Sequence, residues 1–381
     1  MNGDIVKVIA FYLPQFHAIP ENDAAHGIGF TEWSNTRKAK PLFEGHYQPR
    51  TPLGQNYYCL LDNGVMEKQV ELAKQHGIYG FCYYHYWFKN GKKLLEKPIE
   101  MMRKNPKLDI PYCLSWANEN WTKKWDGGNN ETIIEQDYGN QEDLIAHVEY
   151  LCDFFSDPRY IKEDGCPIFL LYKPELVPNL TKMIRTIREH VVANGFPGIK
   201  IFVQYPKFFF NGAKLDLFDG YIQFQPRFIQ DFEKDASRSS AKKAIKKMLL
   251  SMNFRHTVDQ IERMLSGRGT AGQNGPTIRD YQDDWNRILA YQPRDRRIIA
   301  GAFTDWDNTP RNKNGLIYKG ATPELFQKNM HELVQKVHHE YSRPYIFLNA
   351  WNEWAEGAYL EPDEKYRYAY LEALQHALEC G

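Results

Sequence analysis

The stretch Pro344-Tyr-Ile-Phe-Leu-Asn-Ala-Trp351 is apolar at almost every position. A strand with one wet face alternates apolar and polar side chains. A near-continuous apolar run is what a parallel strand buried on both faces requires. Seven such runs precede it: residues 5–13 (IVKVIAFYL), 78–87 (IYGFCYYHYW), 110–116 (IPYCLSW), 167–172 (PIFLLY), 199–204 (IKIFVQ), 220–225 (GYIQFQ) and 298–303 (IIAGAF). Segments of helical period lie between or beyond them, at 62–76, 141–155, 179–193, 277–290, 322–341 and 364–378. Thr322-Pro-Glu-Leu325 puts proline in a first helical turn, a helix start signal. Eight strands alternating with helices predict an α/β fold, a single (β/α)₈ TIM barrel. An open doubly wound sheet is the alternative. A dinucleotide-binding sheet would follow its first strand with GxGxxG, and Leu13-Pro-Gln15 stands there instead.

Three connections exceed plain turns: 14–61, 117–140 and 226–274. Each follows a strand's C-terminal end, so each rises from the catalytic face of a barrel. The basic stretch 232–268 reads as part of a helical insertion over about 228–274, within one catalytic domain spanning 1–381.

Lys+Arg and Asp+Glu are both 48, so the 381-residue chain is formally neutral. That balance argues against sequence-independent nucleic-acid binding, which needs a basic excess. No run is long and apolar enough for a membrane span. Nine Trp, 24 Tyr and 22 Phe make 14% aromatic residues. Such a content excludes disorder for most of the chain and suits either a large aromatic core or a cleft that stacks sugar faces. The N-terminus shows no basic region leading into an apolar one, and no cysteine sits in a CxxC pair. A cytoplasmic, reducing compartment is expected, with no zinc site.

The sharpest constellation for chemistry is Asn349-Ala-Trp-Asn-Glu-Trp-Ala-Glu-Gly357, just past the last strand. On a helical turn Glu353 and Glu356 share one face. Two close carboxyls push their pKa values apart, and Trp351 and Trp354 would desolvate them. That arrangement serves acid/base work at a glycosidic bond, and the raised pKa is expected at Glu356. The alternative is a solvated surface turn. Polar and aromatic residues at other strand ends are candidates for binding sugar hydroxyls. They are Tyr12, Gln15, His17, Glu32 and Trp33 after the first strand, and Tyr84, His85 and Trp87 on the second. Trp116, Asn118, Glu119 and Trp121 follow the third, with Gln204, Gln225, Asp305, Trp306 and Asn352 further on. Alternation puts Tyr84 and Tyr86 on one face and His85 with Trp87 on the other. His85 reads equally as a satisfied core histidine. Trp33, Trp87, Trp116, Trp121, Trp306, Trp351 and Trp354 are expected to line the cleft. No GxSxG, HExxH or GxxxxGK[ST] occurs, and no metal or cofactor is expected.

Ala10-Phe-Tyr-Leu-Pro-Gln-Phe-His17, Gly29-Phe-Thr-Glu-Trp33, Lys38-Ala-Lys-Pro-Leu42 and Gly45-His-Tyr-Gln-Pro49 resemble the WbsX-type family. That family is associated with lipopolysaccharide O-antigen biosynthesis and is related to family 99 glycoside hydrolases. The resemblance covers most of the chain. Trp351-Asn-Glu-Trp-Ala-Glu-Gly357 resembles the family 99 motif Asn-Glu-Trp-x-Glu-Gly. It implies a (β/α)₈ barrel acting with retention on an oligo- or polysaccharide. It further implies that Glu353 assists the sugar's own 2-hydroxyl as nucleophile, through an epoxide-like intermediate, and that Glu356 is the general acid/base. The N-terminal motif departs from those hydrolases' Tyr-Pro-Trp-Tyr pattern, so the sugar stays open. Two other functions remain: a nucleotide-sugar glycosyltransferase using Asp305-Trp-Asp307, and a non-catalytic sugar binder in which both Glu residues would be dispensable.

Overall fold

In the computed structural model, residues 5–123, 131–205, 216–236 and 275–379 are described. Eight parallel strands form a closed ring: β1 (Lys7–Tyr12), β2 (Ile78–Trp87), β3 (Tyr112–Trp116), β4 (Cys166–Leu171), β5 (Lys200–Val203), β6 (Gly220–Ile222), β7 (Ile298–Phe303) and β8 (Tyr345–Asn349). They neighbour one another in chain order. β1 closes the ring by pairing with β8 (Ala10 opposite Leu348) and with β2 (Phe11 opposite Cys82). Each coincides with one of the eight apolar runs to within a residue, because both faces are covered. Ring interior and surrounding helices together bury nearly every strand residue. β7 passes so close to its neighbour that a Cβ on Gly301 would sit 1.8 Å from the Gln223 carbonyl oxygen.

The helices are α1 (Pro20–His26), α2 (Glu32–Lys38), α3 (Val65–Gln75), α4 (Glu96–Lys104), α5 (Gln141–Phe155), α6 (Leu180–Ala193), α7 (Arg227–Ala236), α8 (Tyr281–Ala290), α9 (Pro323–Glu340) and α10 (Ala369–Glu379). Thr322 caps α9, accepting from the Leu325 amide at 3.3 Å. The helix expected over 277–290 begins later. Thr277–Asp280 pairs in parallel with Leu316–Lys319, and Asp280 then caps α8 by accepting from the Asp283 amide at 2.9 Å. A capping aspartate after a β-branched stretch marks that boundary. Of the helical insertion expected near 228–274, α7 supplies the start, and 237–274 lies outside the described residues. Among the described residues no helix is long and apolar enough to cross a membrane.

Candidate active site

The site is built where β8 ends. The Trp351 amide donates to the Phe11 carbonyl at 2.8 Å. The Asn352 side chain accepts from the Leu13 amide (2.7 Å) and donates to the Leu13 carbonyl (3.1 Å). These bonds sew the chain leaving β8 to the chain leaving β1. Asn352–Glu353 then pairs antiparallel with Ala358–Tyr359 around a 3₁₀ turn, Trp354–Glu356. Gly357 ends the turn at φ 66, where a Cβ would meet the Asp307 amide at 2.9 Å. This tight turn brings Glu353 and Glu356 to one guanidinium.

That guanidinium is Arg311, from the connection after β7. Its Nη1 donates to Glu356 Oε1 at 2.6 Å, and its Nη2 to Glu353 Oε2 at 3.2 Å and to Glu32 Oε1 at 2.7 Å. Glu32, the first residue of α2, also accepts from the Ala355 amide at 2.9 Å. Three carboxylates thus share one part-buried cation. Burial works against the charge of Arg311, but Glu32, Glu356 and Glu353 hold it charged. Burial pushes Glu353 up to about 8, reinforced by Glu356 and opposed by Arg311. Burial likewise raises Glu32, against the pull of Arg311. The sequence expectation of a raised pKa falls on Glu356, whereas burial raises that of Glu353, the more enclosed side chain (7% exposed against 17%). Burial, and then the charge of Glu353, raise Tyr84 and Tyr86, so both phenols face the site.

Other expected residues also gather at this end. Gln15 is fully buried, and its backbone carbonyl accepts from the Glu32 amide at 2.9 Å. His17 is buried, and desolvation lowers its pKa to about 4, so the ring is neutral near pH 7. Gln204 donates to the Tyr84 hydroxyl at 3.0 Å and accepts from Ser115. Gln225 accepts at its side chain from the Ile229 amide (3.3 Å) and at its carbonyl from Asn349 (3.0 Å). Asp305 pairs with Arg50 at 2.8 Å, while Asp307 holds His46 and Gln48, each at 2.8 Å. Glu119 pairs with Lys173. Trp306 lies against Arg227.

The remaining expectations are corrected. None of the seven tryptophans presents an open stacking face, for the most exposed, Trp87, is 8% accessible. Trp351 packs on Phe81, and Trp354 stacks on Tyr359 and donates to Glu361 at 2.7 Å. Trp33 donates to the Tyr58 carbonyl (2.8 Å) and Trp121 to Asn22 (2.9 Å). Strand alternation turns a further group outward, toward the helices. The His85 ring meets His147 of α5 at 2.8 Å between Nε2 atoms. Trp87 stacks on His147, and Trp116 donates to the Trp87 carbonyl at 3.2 Å. Tyr12 donates to Gln69 of α3. The Asn118 side chain is spent on Tyr138 and the Lys173 backbone, and that of Asn352 on Leu13. The sequence reading did not single out Arg311, Arg50, Arg227, Lys173 or Glu361. His46 and Gln48 stood within Gly45-His-Tyr-Gln-Pro49 without a role, and Arg311 stands four residues beyond Asp307.

The sequence model of the family described as "Glycosyltransferase WbsX" matches residues 8–374. "Uncharacterized protein WxcX" of Xanthomonas campestris pv. campestris (strain B100) is 34% identical over 380 residues, covering 97% of this chain and 49% of that protein. WxcX of strain ATCC 33913 matches to the same extent. The chain therefore spans about half the length of the curated relatives it matches. Among solved structures, a "Glycoside hydrolase-like protein" superposes with TM-score 0.59 at 13% identity, covering 99% of this chain and 95% of that one. The GH99 endo-alpha-mannosidase from Bacteroides thetaiotaomicron superposes with TM-score 0.52 at 13% identity, covering 98% and 96%. At these identities the likeness is one of fold. The chain belongs to the WbsX family.

Proposed function

We propose that this WbsX-family chain cleaves or transfers a glycosidic bond of a bacterial polysaccharide with retention, and that Glu353 and Glu356 carry the chemistry. The observation that supports this most is the convergence of Glu353, Glu356 and Glu32 on Arg311 at the barrel's C-terminal end. In this reading Glu353 is the base, and its pKa near 8 suits a base that works close to neutral pH. The pair holds one proton between them, and the productive form carries it on Glu356. Glu353 takes the proton of the substrate's 2-hydroxyl. The C2 oxygen attacks C1, and the bond from C1 to the leaving oxygen breaks as Glu356 protonates that oxygen. Glu356, now ionised, deprotonates water or an acceptor hydroxyl. This oxygen attacks C1, the C1–O2 bond of the three-membered ring opens, and O2 recovers the proton from Glu353. Two inversions give net retention. Glu32 and Arg311 are positioning residues, since they fix the turn that carries both acids.

The test incubates the protein with a panel of mannans and O-polysaccharides, without nucleotide sugar, and reads the first-formed anomer by NMR. The expected result is new reducing ends, or transfer products, of unchanged anomeric configuration. Turnover only with a nucleotide-sugar donor would instead support the second reading, a glycosyltransferase, which the family's description favours. For that reading Asp305 and Asp307 are poor metal ligands, since Arg50, His46, Gln48 and Thr309 already occupy their oxygens.

A further inference from the structure

Among the described residues, one cation at the barrel mouth feels Glu356 and Glu119 at a distance but is bonded to no carboxylate. Arg227 opens α7 just beyond the end of β6 and is part-buried. Its guanidinium carbon lies 5.3 Å from the centre of the Trp306 ring. Among the described residues it makes no hydrogen bond and no ion pair. Arg311, Arg50, Arg159 and Arg279 each hold at least one carboxylate. A sheltered guanidinium without an anion is costly, and a bound anion would relieve that cost.

Its neighbours come from the ends of strands on either side of β6. Tyr172 and Tyr205, just past β4 and β5, stack at 6.2 Å with 27° between their planes. Both phenols, and Glu356, lie close enough for the charge of Arg227 to act on them. Lys173 sits 4.9 Å over the Tyr172 ring and 6.0 Å from that of Tyr205, but it is already matched by Glu119. Asp231 is occupied by the Tyr205 hydroxyl. Of the two cations, then, only Arg227 is available to an incoming anion.

The geometry points to Arg227 as the anchor of an acidic saccharide subsite beside Glu356. It binds an oxyanion carried by the sugar, either the carboxylate of a uronic-acid unit or a sugar phosphate. A planar guanidinium matches both in bidentate fashion, and the part-buried Tyr172 offers a ring beside it for the sugar's apolar face. A wholly neutral glycan would leave the guanidinium unmatched. The inference rests on reading the mouth as a saccharide site.

The test titrates the protein with methyl glucuronide, glucose 1-phosphate and methyl glucoside, followed by tryptophan fluorescence and saturation-transfer NMR. At least one anionic probe should bind about tenfold or more tighter than the neutral one, as a hydrogen bond to a charged group warrants. Arg227→Met keeps the packing on Trp306 and should erase that preference while leaving methyl glucoside binding unchanged. Arg227→Lys should retain part of it. Which anion wins identifies carboxylate or phosphate as the source. Equal binding of all three probes, binding of none, or a preference that survives Arg227→Met overturns the inference. The preference is read by binding without turnover, so a failure of the catalytic reading is visible separately, as turnover that does not need Glu353 and Glu356.

Discussion

Glu353 and Glu356 differ in what they are asked to do, and their variants should differ accordingly. A general acid contributes about 10²–10⁴-fold. Glu356→Gln should lose roughly that much on natural-type glycosides and much less on activated ones, whose leaving groups need no proton. Glu353→Gln should be inactive on both, because no leaving group replaces a lost base. Near wild-type turnover of Glu353→Gln on both substrates would remove it from the mechanism. The pH profile adds a sign. The working pair holds one proton, and burial raises Glu353 so that this proton is lost only above about pH 8. The kcat/KM of the free enzyme should therefore fall as pH rises through about 8, and a rate that climbs through that range would mean that the pair works with both carboxyls ionised. The Glu353–Glu356 pair was legible in the sequence because both carboxyls lie in one short motif. Arg311 and Glu32 were not legible as its partners. They stand 42 and 321 residues from Glu353 along the chain, and only ring closure brings them to 3.2 Å and into its field.

At the scale of the element, the strands were legible and the direction in which they face was not. Burial on both faces leaves an apolar run that marks a barrel strand directly. A period of two assigns Tyr84 and Tyr86 to one face and His85 and Trp87 to the other, without saying which face is inside. The structure gives the lumen to the tyrosines, and α5 covers the histidine. The short helices α1, α2 and α4 went unread, since seven to nine residues hold too few turns for a clear period. Close strand approach gives this scale its prediction. Gly301→Ala drives a Cβ into backbone, whereas at Gly220 the nearest atoms, 2.6 Å away, belong to the Phe202 ring. Overpacking of this kind costs about 1–3 kcal/mol. Thermal denaturation should show Gly301→Ala as clearly the more destabilised of the two, because a ring can shift and the Gln223 carbonyl is fixed in the chain. Equal midpoints would mean that the backbone yields at Gly301 as the ring does at Gly220.

For the whole molecule, the carboxyls packed behind the mouth set how stability depends on pH. Glu361 is buried under the Trp354–Glu356 turn, accepting from Trp354 (2.7 Å), Tyr58 (2.8 Å) and Gln69 (2.7 Å). Burial pushes its pKa from 4.5 up to about 7, while these hydrogen bonds pull it back. The folded state thus holds this proton more tightly than the unfolded chain does. Its contribution is fully present below about pH 4.5 and is lost as pH rises through 7. At 1.36 kcal/mol per unit, the whole swing is roughly 3 kcal/mol. Glu353 acts with the same sign and extends the window toward 8. Asp307 acts with the opposite sign. Burial would raise its pKa, but Arg50, Thr309, Gln48 and His46 hold it below the usual range, so its contribution is lost only in stronger acid. Below about pH 6.5 the buried neutral His17 and His85 act with the opposite sign, so the melting temperature should fall between about pH 6.5 and pH 8. Glu361→Gln keeps the side chain's size and an acceptor oxygen but has no proton to lose, so its melting temperature should fall less over the same range. Parallel curves for variant and wild type would assign the pH dependence to other groups and leave Glu361 ionised throughout.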